Sequence, residues 1–371
     1  MSRATSAAMS TALDAGLSGI VGRQVPGVSI AIVSPDGVQS SKGIGVADIA
    51  TARPATTDSV YAWFSMTKIV TATAVMQLAE RAVLDLDGPA ADLVPALAGA
   101  TWRGKRAMVT IRQLLSHTAG LANPIPVGWV HPADATAFDG VAFAERLLGE
   151  HTRLAFQPGA RTGYSNLGYL ALGRAIAAGS GQTYEDYVRK NILHPLRMFS
   201  TDFAYTQGMR PQAATGYQPR WSPMTLLLRF MLPRGIVGRT FGGYVAFRPF
   251  YVNGAPFGGL LGSVGDAARF AALHLNGGVV NGTRVLAEKS VAEMQRLAAS
   301  GPALDVGLGW FRKRADSRRG ETFVEHLGGG AGFFNVMRLY PDHARAVVLM
   351  GNSTSYAQEA VLKIASGSAP R

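Results

Sequence analysis

The chain reads as an α+β protein of the α/β class. One antiparallel β-sheet is built from both chain ends and flanked by helices, and a mainly helical subdomain is inserted between the ends, leaving a cleft between the two parts as the expected place for an active site. Three observations predict this. Strand-like segments bounded by Gly, Pro and Asp cluster near the two ends of the chain. Apolar residues at helical spacing dominate the stretch from about residue 90 to 285. At 371 residues and 47% hydrophobic, with mean hydropathy +0.12, the chain can bury a substantial core, unlike a disordered one. We read residues 1–371 as a single domain, with a sheet part at about 1–62 and 285–371 and a helical subdomain at about 63–284.

Taken in order, residues 1–22 read as a short helix, because they lack the apolar core of a signal peptide. Residues 26–49 read as two strands joined by the turn Pro35-Asp36-Gly37. A long amphipathic helix follows, with Ile69, Val70, Ala74, Val75, Leu78 and Ala79 at helical spacing and a turn at Asp87-Gly88-Pro89. Further helices are expected at Ile111–Ser116, Ala142–Gly149, Leu167–Ala178, Tyr184–Ile192 and Val264–Leu275. Strands return at Gly307–Arg314, Thr322–Leu327, Phe333–Tyr340 and Ala346–Gly351, before a last helix at about Tyr356–Ile364. There is no internal repeat and no low-complexity segment.

Formal net charge is +12, and it is unevenly placed. No acidic residue falls between Asp202 and Asp266, whereas Arg210, Arg220, Arg229, Arg234, Arg239 and Arg248 all do. Apolar residues alternate with them, from Met224 through Leu232 and on to Phe247. The plain expectation is a cap packed over a cleft with its arginines in water. The sharper one is a peripheral contact with an anionic membrane, or guidance of a negatively charged substrate. A second cluster, Arg312-Lys313-Arg314 with Arg318 and Arg319, reads as a solvated hairpin tip. No nucleic-acid-binding motif accompanies either cluster, so nucleic acid is not an expected partner. No stretch has the apolar length of a membrane span, and a cytoplasmic location is the default expectation. Cysteine is absent, which excludes disulfides and thiolate chemistry.

Three short motifs carry candidate chemistry. The first is Ser65-Met66-Thr67-Lys68, the only Ser-x-x-Lys in the chain. Residues i and i+3 share a helix face, so Lys68 can lie beside the Ser65 hydroxyl. Burial and the positive end of the helix dipole both favour a neutral amine there, which can take the serine proton. The second is Tyr164-Ser165-Asn166, placed after a turn and before a helix. A phenol near the nucleophile can relay a proton, while the Asn166 amide can orient Lys68 or hold a substrate carbonyl. Tyr251-Val252-Asn253 is a second match to the same pattern. The third is His326-Leu327-Gly328-Gly329-Gly330, at the end of an expected strand. Its glycines permit close approach, and its N–H groups can form half of an oxyanion hole. Taken alone, that segment is a glycine-rich turn with a surface histidine.

In order and spacing, these motifs resemble the serine β-lactamase and penicillin-binding-protein superfamily, in its class C-like branch. The similarity runs over almost the whole chain. It includes Leu114 through Leu121, Gln157-Pro158-Gly159, and the run Gly258-Gly259-Leu260 through Ser263, Asp266, Arg269 and Phe270. The resemblance implies Ser65 as nucleophile, with Lys68 and Tyr164 sharing acid and base work. It places Asn166, His326, Gly328 and Gly329 at the substrate. It also implies an oxyanion hole from the N–H groups of Ser65 and Gly329, and a structural role for His117. The branch's β-lactamases carry Lys-Thr-Gly where this chain has His326-Leu327-Gly328; the permanent charge that holds an antibiotic's carboxylate is missing.

The expected activity is therefore that of a serine hydrolase acting through an acyl-enzyme on carboxylic esters of small or medium acyl chains. The alternatives are a D-alanyl-D-alanine carboxypeptidase, a D-aminopeptidase, a weak β-lactamase, or a non-catalytic relative that uses the cleft for binding or sensing. The expected partner is a small ester or amide. No metal or other cofactor is expected, because the seven histidines are scattered and no carboxylate cluster accompanies them. A Gly-x-Ser-x-Gly elbow is absent, which disfavours an α/β-hydrolase.

Overall fold

A computed structural model describes residues 17–135, 138–302, 304–314, 322–354 and 356–365. The expected N-terminal helix falls mostly outside the described residues, as do Arg318 and Arg319 of the charged tip. The chain begins with β1 (Gly27–Ser34), β2 (Gly37–Asp48) and the short β3 (Arg53–Pro54). The helical part runs through α1 (Thr67–Glu80), α2 (Ile111–Leu115), α3 (Gly140–Glu150), α4 (Asn166–Ser180) and α5 (Tyr184–Val188). A small sheet follows, made of β4 (Tyr217–Pro219), β5 (Val237–Phe241) and β6 (Tyr244–Phe247), with α6 (Pro223–Met231) between its first two strands. Next come α7 (Ala255–Gly258), α8 (Val264–Leu275) and α9 (Glu288–Gln295). The chain closes with β7 (Phe311–Arg314), β8 (Thr322–Gly330), β9 (Phe333–Tyr340), β10 (Arg345–Gly351) and α10 (Gln358–Ala365).

The main sheet has seven strands in the order β7-β8-β9-β10-β1-β2-β3. Its strands pair antiparallel. The two chain ends meet where β1 pairs with β10, Ile30 opposite Leu349. Both strands are apolar and buried on both faces, as a central strand between two helical layers requires. The two-residue period of a strand divides their side chains. Val28, Ile30, Ile32, Val347 and Leu349 join the layer of α10 with Leu17 and Ile20. Ala31, Val33, Ala346, Val348 and Met350 join the larger core with α1, α4 and α8. Each Val, Ile, Leu or Met among them contributes about 1.5–3 kcal/mol of burial.

Helix α1 departs from the expected amphipathic pattern. Every residue from Thr67 to Leu78 is buried, so the helix is the axis of the core and has no wet face before its last turn. Its polar side chains bond internally instead. Thr71 Oγ1 donates to Pro256 O at 2.6 Å, and Gln77 Nε2 donates to Val285 O at 2.8 Å. Burial on all sides is what desolvates Lys68. The glycine motif also differs from expectation, since Gly328–Gly330 continue β8 and only Ala331-Gly332 turns toward β9. Among the described residues, no helix is long and apolar enough to cross a membrane.

Candidate active site

The strand Val60–Ala62 pairs with Leu261–Ser263, and the Trp63 N–H donates to Leu260 O at 2.8 Å. The chain then turns sharply into α1. Phe64 takes a left-handed conformation, φ +47°, which costs a non-glycine residue about 1–2 kcal/mol. Its ring is held by Phe250 and Phe333, with centroids 6.1 and 6.4 Å away. Ser65 thus sits half-buried in a single 3₁₀ turn, Phe64–Met66, at the head of α1. One turn on, Lys68 is fully buried. Its Nζ is 3.0 Å from Ser65 Oγ, 2.8 Å from Asn166 Oδ1 and 2.8 Å from Phe257 O. Among the described residues no carboxylate pairs with it, and desolvation pushes the amine well below its ordinary value.

Tyr164 arrives from the other side. Its hydroxyl donates to Ser65 Oγ at 2.7 Å, and burial raises its phenol well above the usual range. The loop carrying it is braced by backbone bonds. The Gly163 N–H donates to His117 O and the Gly159 N–H to Thr118 O, both at 2.8 Å. Ser165 caps α4 by accepting the Gly168 N–H at 3.1 Å, which places Asn166 at the helix start. His117 is buried, with its ring 4.7 Å from the Tyr164 ring. Its Nδ1 accepts the Ser165 N–H at 3.2 Å, so a neutral ring carries its proton on Nε2. Desolvation, then the charges of Lys68 and His326, hold it well below the ordinary histidine value. These contacts suit the structural role expected of His117.

Strand β8 forms the third wall. β7 covers its outer edge only as far as Glu325, and beyond that the edge lies against the Phe64–Met66 turn. A side-chain carbon on Gly328 would meet Trp63 O at 1.9 Å, so only glycine lets the two backbones come this close. Gly330 faces Phe333 across the two-residue turn and forms the hydrogen-bonded pair. Alternation along the ladder then makes Gly329 a non-bonded position, whose N–H points away from β9 toward the uncovered edge.

His326 differs from the surface histidine that its motif suggests. It is 1% exposed and stacks on Phe311, with centroids 4.5 Å apart. Its Nδ1 lies 2.8 Å from Leu327 O, and its Nε2 has no hydrogen-bond partner among the described residues. Burial, reinforced by Lys68, lowers it to about 3. The ring is neutral at physiological pH.

Of the expected site residues, Tyr164, Ser65, Lys68 and Asn166 are joined in that order by a chain of hydrogen bonds, and Gly328 abuts the serine turn. The competing Tyr251 lies elsewhere: its hydroxyl accepts the Tyr205 N–H at 3.2 Å and its ring stands 5.7 Å from His131. A separate cavity of about 920 Å³, lined in part by His131, Arg174, Tyr184 and Tyr251, includes none of Ser65, Lys68, Tyr164 and Asn166. Sequence reasoning missed Phe257, whose contribution is a backbone carbonyl, and Phe311, whose ring neighbours those of both His326 and Tyr164. It also missed Asn123, whose Oδ1 accepts the Asn166 N–H at 3.1 Å. Among the described residues, no group of three His, Asp or Glu side chains is placed to hold a metal ion.

This fold and this Ser-Lys-Tyr cluster define a class of serine hydrolases, and the chain belongs to the Beta-lactamase family, whose model matches residues 8–366. It is 30% identical over 341 residues to penicillin-binding protein 4 of Amycolatopsis lactamdurans, spanning 88% of this chain and 81% of that protein. A solved structure of the D-amino acid amidase from Ochrobactrum anthropi SV3, complexed with D-phenylalanine, covers 97% of this chain and 100% of its own, with TM-score 0.78 and 24% identity. EstCE1, a hydrolase with promiscuous acyltransferase activity, covers 98% of each chain with TM-score 0.77 and 19% identity. At such identities these two structures establish the fold alone.

Proposed function

We propose that the protein hydrolyses carboxylic esters of small or medium acyl chains through an acyl-enzyme on Ser65. The observation that carries this reading is the set of three oxygens around Lys68 Nζ. Asn166 Oδ1 and Phe257 O can only accept hydrogen bonds. A neutral amine donates its two N–H groups to them, and its lone pair is left facing the Ser65 hydroxyl. Ser65 Oγ then attacks the ester carbonyl as its proton passes to Lys68. The N–H groups of Ser65 and Gly329 hold the tetrahedral oxyanion. As the C–O bond breaks, the alcohol takes its proton from the Lys68 ammonium by way of the Tyr164 hydroxyl. Water then gives a proton to the same pair as its oxygen attacks the acyl carbon; the Ser65 Oγ–acyl bond breaks as that proton passes to Oγ, which releases the acid and restores Ser65.

The choice of an ester over an antibiotic rests on His326. A neutral, buried ring stacked on Phe311 supplies no cation for a substrate carboxylate, whereas an uncharged ester needs none. A second reading, acylation by D-alanyl peptides, D-amino acid amides or β-lactams, draws support from the 30% identity to a penicillin-binding protein. Binding or sensing without turnover would leave no purpose for the buried, uncompensated Lys68. A hydrolysis panel separates these readings, using nitrophenyl esters of increasing chain length, nitrocefin, D-alanyl-D-alanine peptides and D-amino acid amides. Ester turnover should exceed the rest. Nitrocefin turned over faster than every ester would reverse the ranking.

A further inference from the structure

Helix α6 buries only Thr225 and Leu228 fully. Leu226 and Phe230 are 62% and 77% exposed, Met224 and Leu227 are also exposed, and Trp221 just before the helix is 86% exposed. A neighbouring loop adds Ile125 and Val127, both more than half exposed. It is tied to the end of α6 by the Gly128 N–H, which donates to Met231 O at 3.1 Å. So much apolar surface in one place calls for a cover.

The surroundings say what kind. Arg220, Arg229, Arg234 and Arg239 are exposed around the patch, and no ion pair joins any of them to a carboxylate among the described residues. The Arg220 guanidinium lies 4.8 Å over the Trp221 ring, next to the apolar face. A second copy of the chain fits poorly. A twofold contact would set this arginine-rich face against itself, with no acidic residue between 203 and 265 to answer it.

We propose that this face docks on the surface of an anionic phospholipid bilayer. Trp221, Leu226, Leu227 and Phe230 enter the headgroup region, and the arginines meet lipid phosphates. The helix lies in the interface plane; nine residues are too few to span. Docking would also set the distance of Ser65 from the lipid. Leu228 belongs to the same apolar cluster as Ala331, with Phe64 packed against it, and these two residues flank Gly330 and Ser65. The contact requires no catalysis, so its test is independent of the Ser65 chemistry.

The test is co-sedimentation of the whole protein with vesicles of phosphatidylcholine, alone and with added phosphatidylglycerol. Recovery should rise with the anionic fraction and fall with added salt. Arg229→Gln, Arg234→Gln and Arg239→Gln should each weaken the partition coefficient about five-fold. Phe230→Ser should weaken it as well, while circular dichroism and hydrolysis of a water-soluble ester stay unchanged. Equal recovery from neutral and anionic vesicles would overturn the proposal. So would lipid-free dimerisation that Phe230→Ser abolishes, since a second copy would then be the cover.

Discussion

Lys68 Nζ lies 3.0 Å from Ser65 Oγ inside the core, where its other directions are filled by two carbonyl oxygens at 2.8 Å. Burial pushes the amine toward its neutral form, and the two fixed acceptors aim its lone pair at the serine. Tyr164 meets the same oxygen at 2.7 Å, so the three groups act as one unit.

Removing either partner should therefore be severe. Tyr164→Phe deletes only the hydroxyl and should lower ester kcat by about 10²–10⁴-fold, the usual scale for a positioned acid–base group. Lys68→Ala should be at least as damaging, and the double variant little worse than Lys68→Ala alone, because members of such a unit are not additive. Steady-state kinetics on one nitrophenyl ester measure all three. Additive losses would show that the two groups work independently.

The pH profile reports the protonation of Lys68. Burial lowers its pKa well below the ordinary lysine value, so kcat/KM should fall with decreasing pH only as the ammonium forms, well below the pH at which a solvated lysine titrates. Asn166→Ala removes an acceptor that favours the charged form, which should move the acid limb to lower pH while kcat drops. An acid limb that moves upward in this variant would contradict the assigned bond.

Much of this was legible in the sequence because the chemistry lies in side chains at local spacing. Ser65 and Lys68 are one helical turn apart, and Tyr164 and Asn166 flank a capping serine. The parts that were not legible are those with no side-chain signature or no local one. Phe257 contributes a carbonyl, and the stacking of Phe311 on His326 joins two strands. The all-round burial of α1 did leave a trace, since no charged residue occurs from Ile69 to Ala79. The β5–β6 hairpin left another: Gly242-Gly243 between apolar runs is a two-residue turn, and Gly242 has φ +55°. Both traces were weaker than the helical periodicity around them.

Gly328 and Gly329 should respond differently to alanine. A methyl at Gly328 would stand 1.9 Å from Trp63 O, and backbone on both sides cannot yield cheaply. Gly328→Ala should cost about 1–3 kcal/mol and reduce kcat by shifting β8 from the serine turn. At Gly329 the nearest atom is the edge of the Phe334 ring at 3.1 Å, which can rotate aside. Urea melts of the two variants check the order, and a more stable Gly328→Ala would contradict the close approach.

Acid should unfold the protein through its buried histidines. His274 and His326 are both lowered to about 3 by burial, and His117 is lowered too. The unfolded chain binds protons on these rings below about 6.5 while the native one does not, so stability is full above that pH and declines as pH falls toward 3. Each ring contributes a slope of about 1.4 kcal/mol per pH unit in that window. Urea midpoints at pH 7, 5 and 4 test this, and His274→Phe should flatten the decline. The same slope with and without His274 would place the acid sensitivity elsewhere.

The most direct test of the central claim is mass spectrometry after reaction with a fluorophosphonate. One covalent adduct per chain should form, map to the peptide containing Ser65, and disappear together with ester turnover in a folded Ser65→Ala variant. An adduct on another residue, or undiminished turnover by Ser65→Ala, would contradict the assignment of Ser65 as nucleophile.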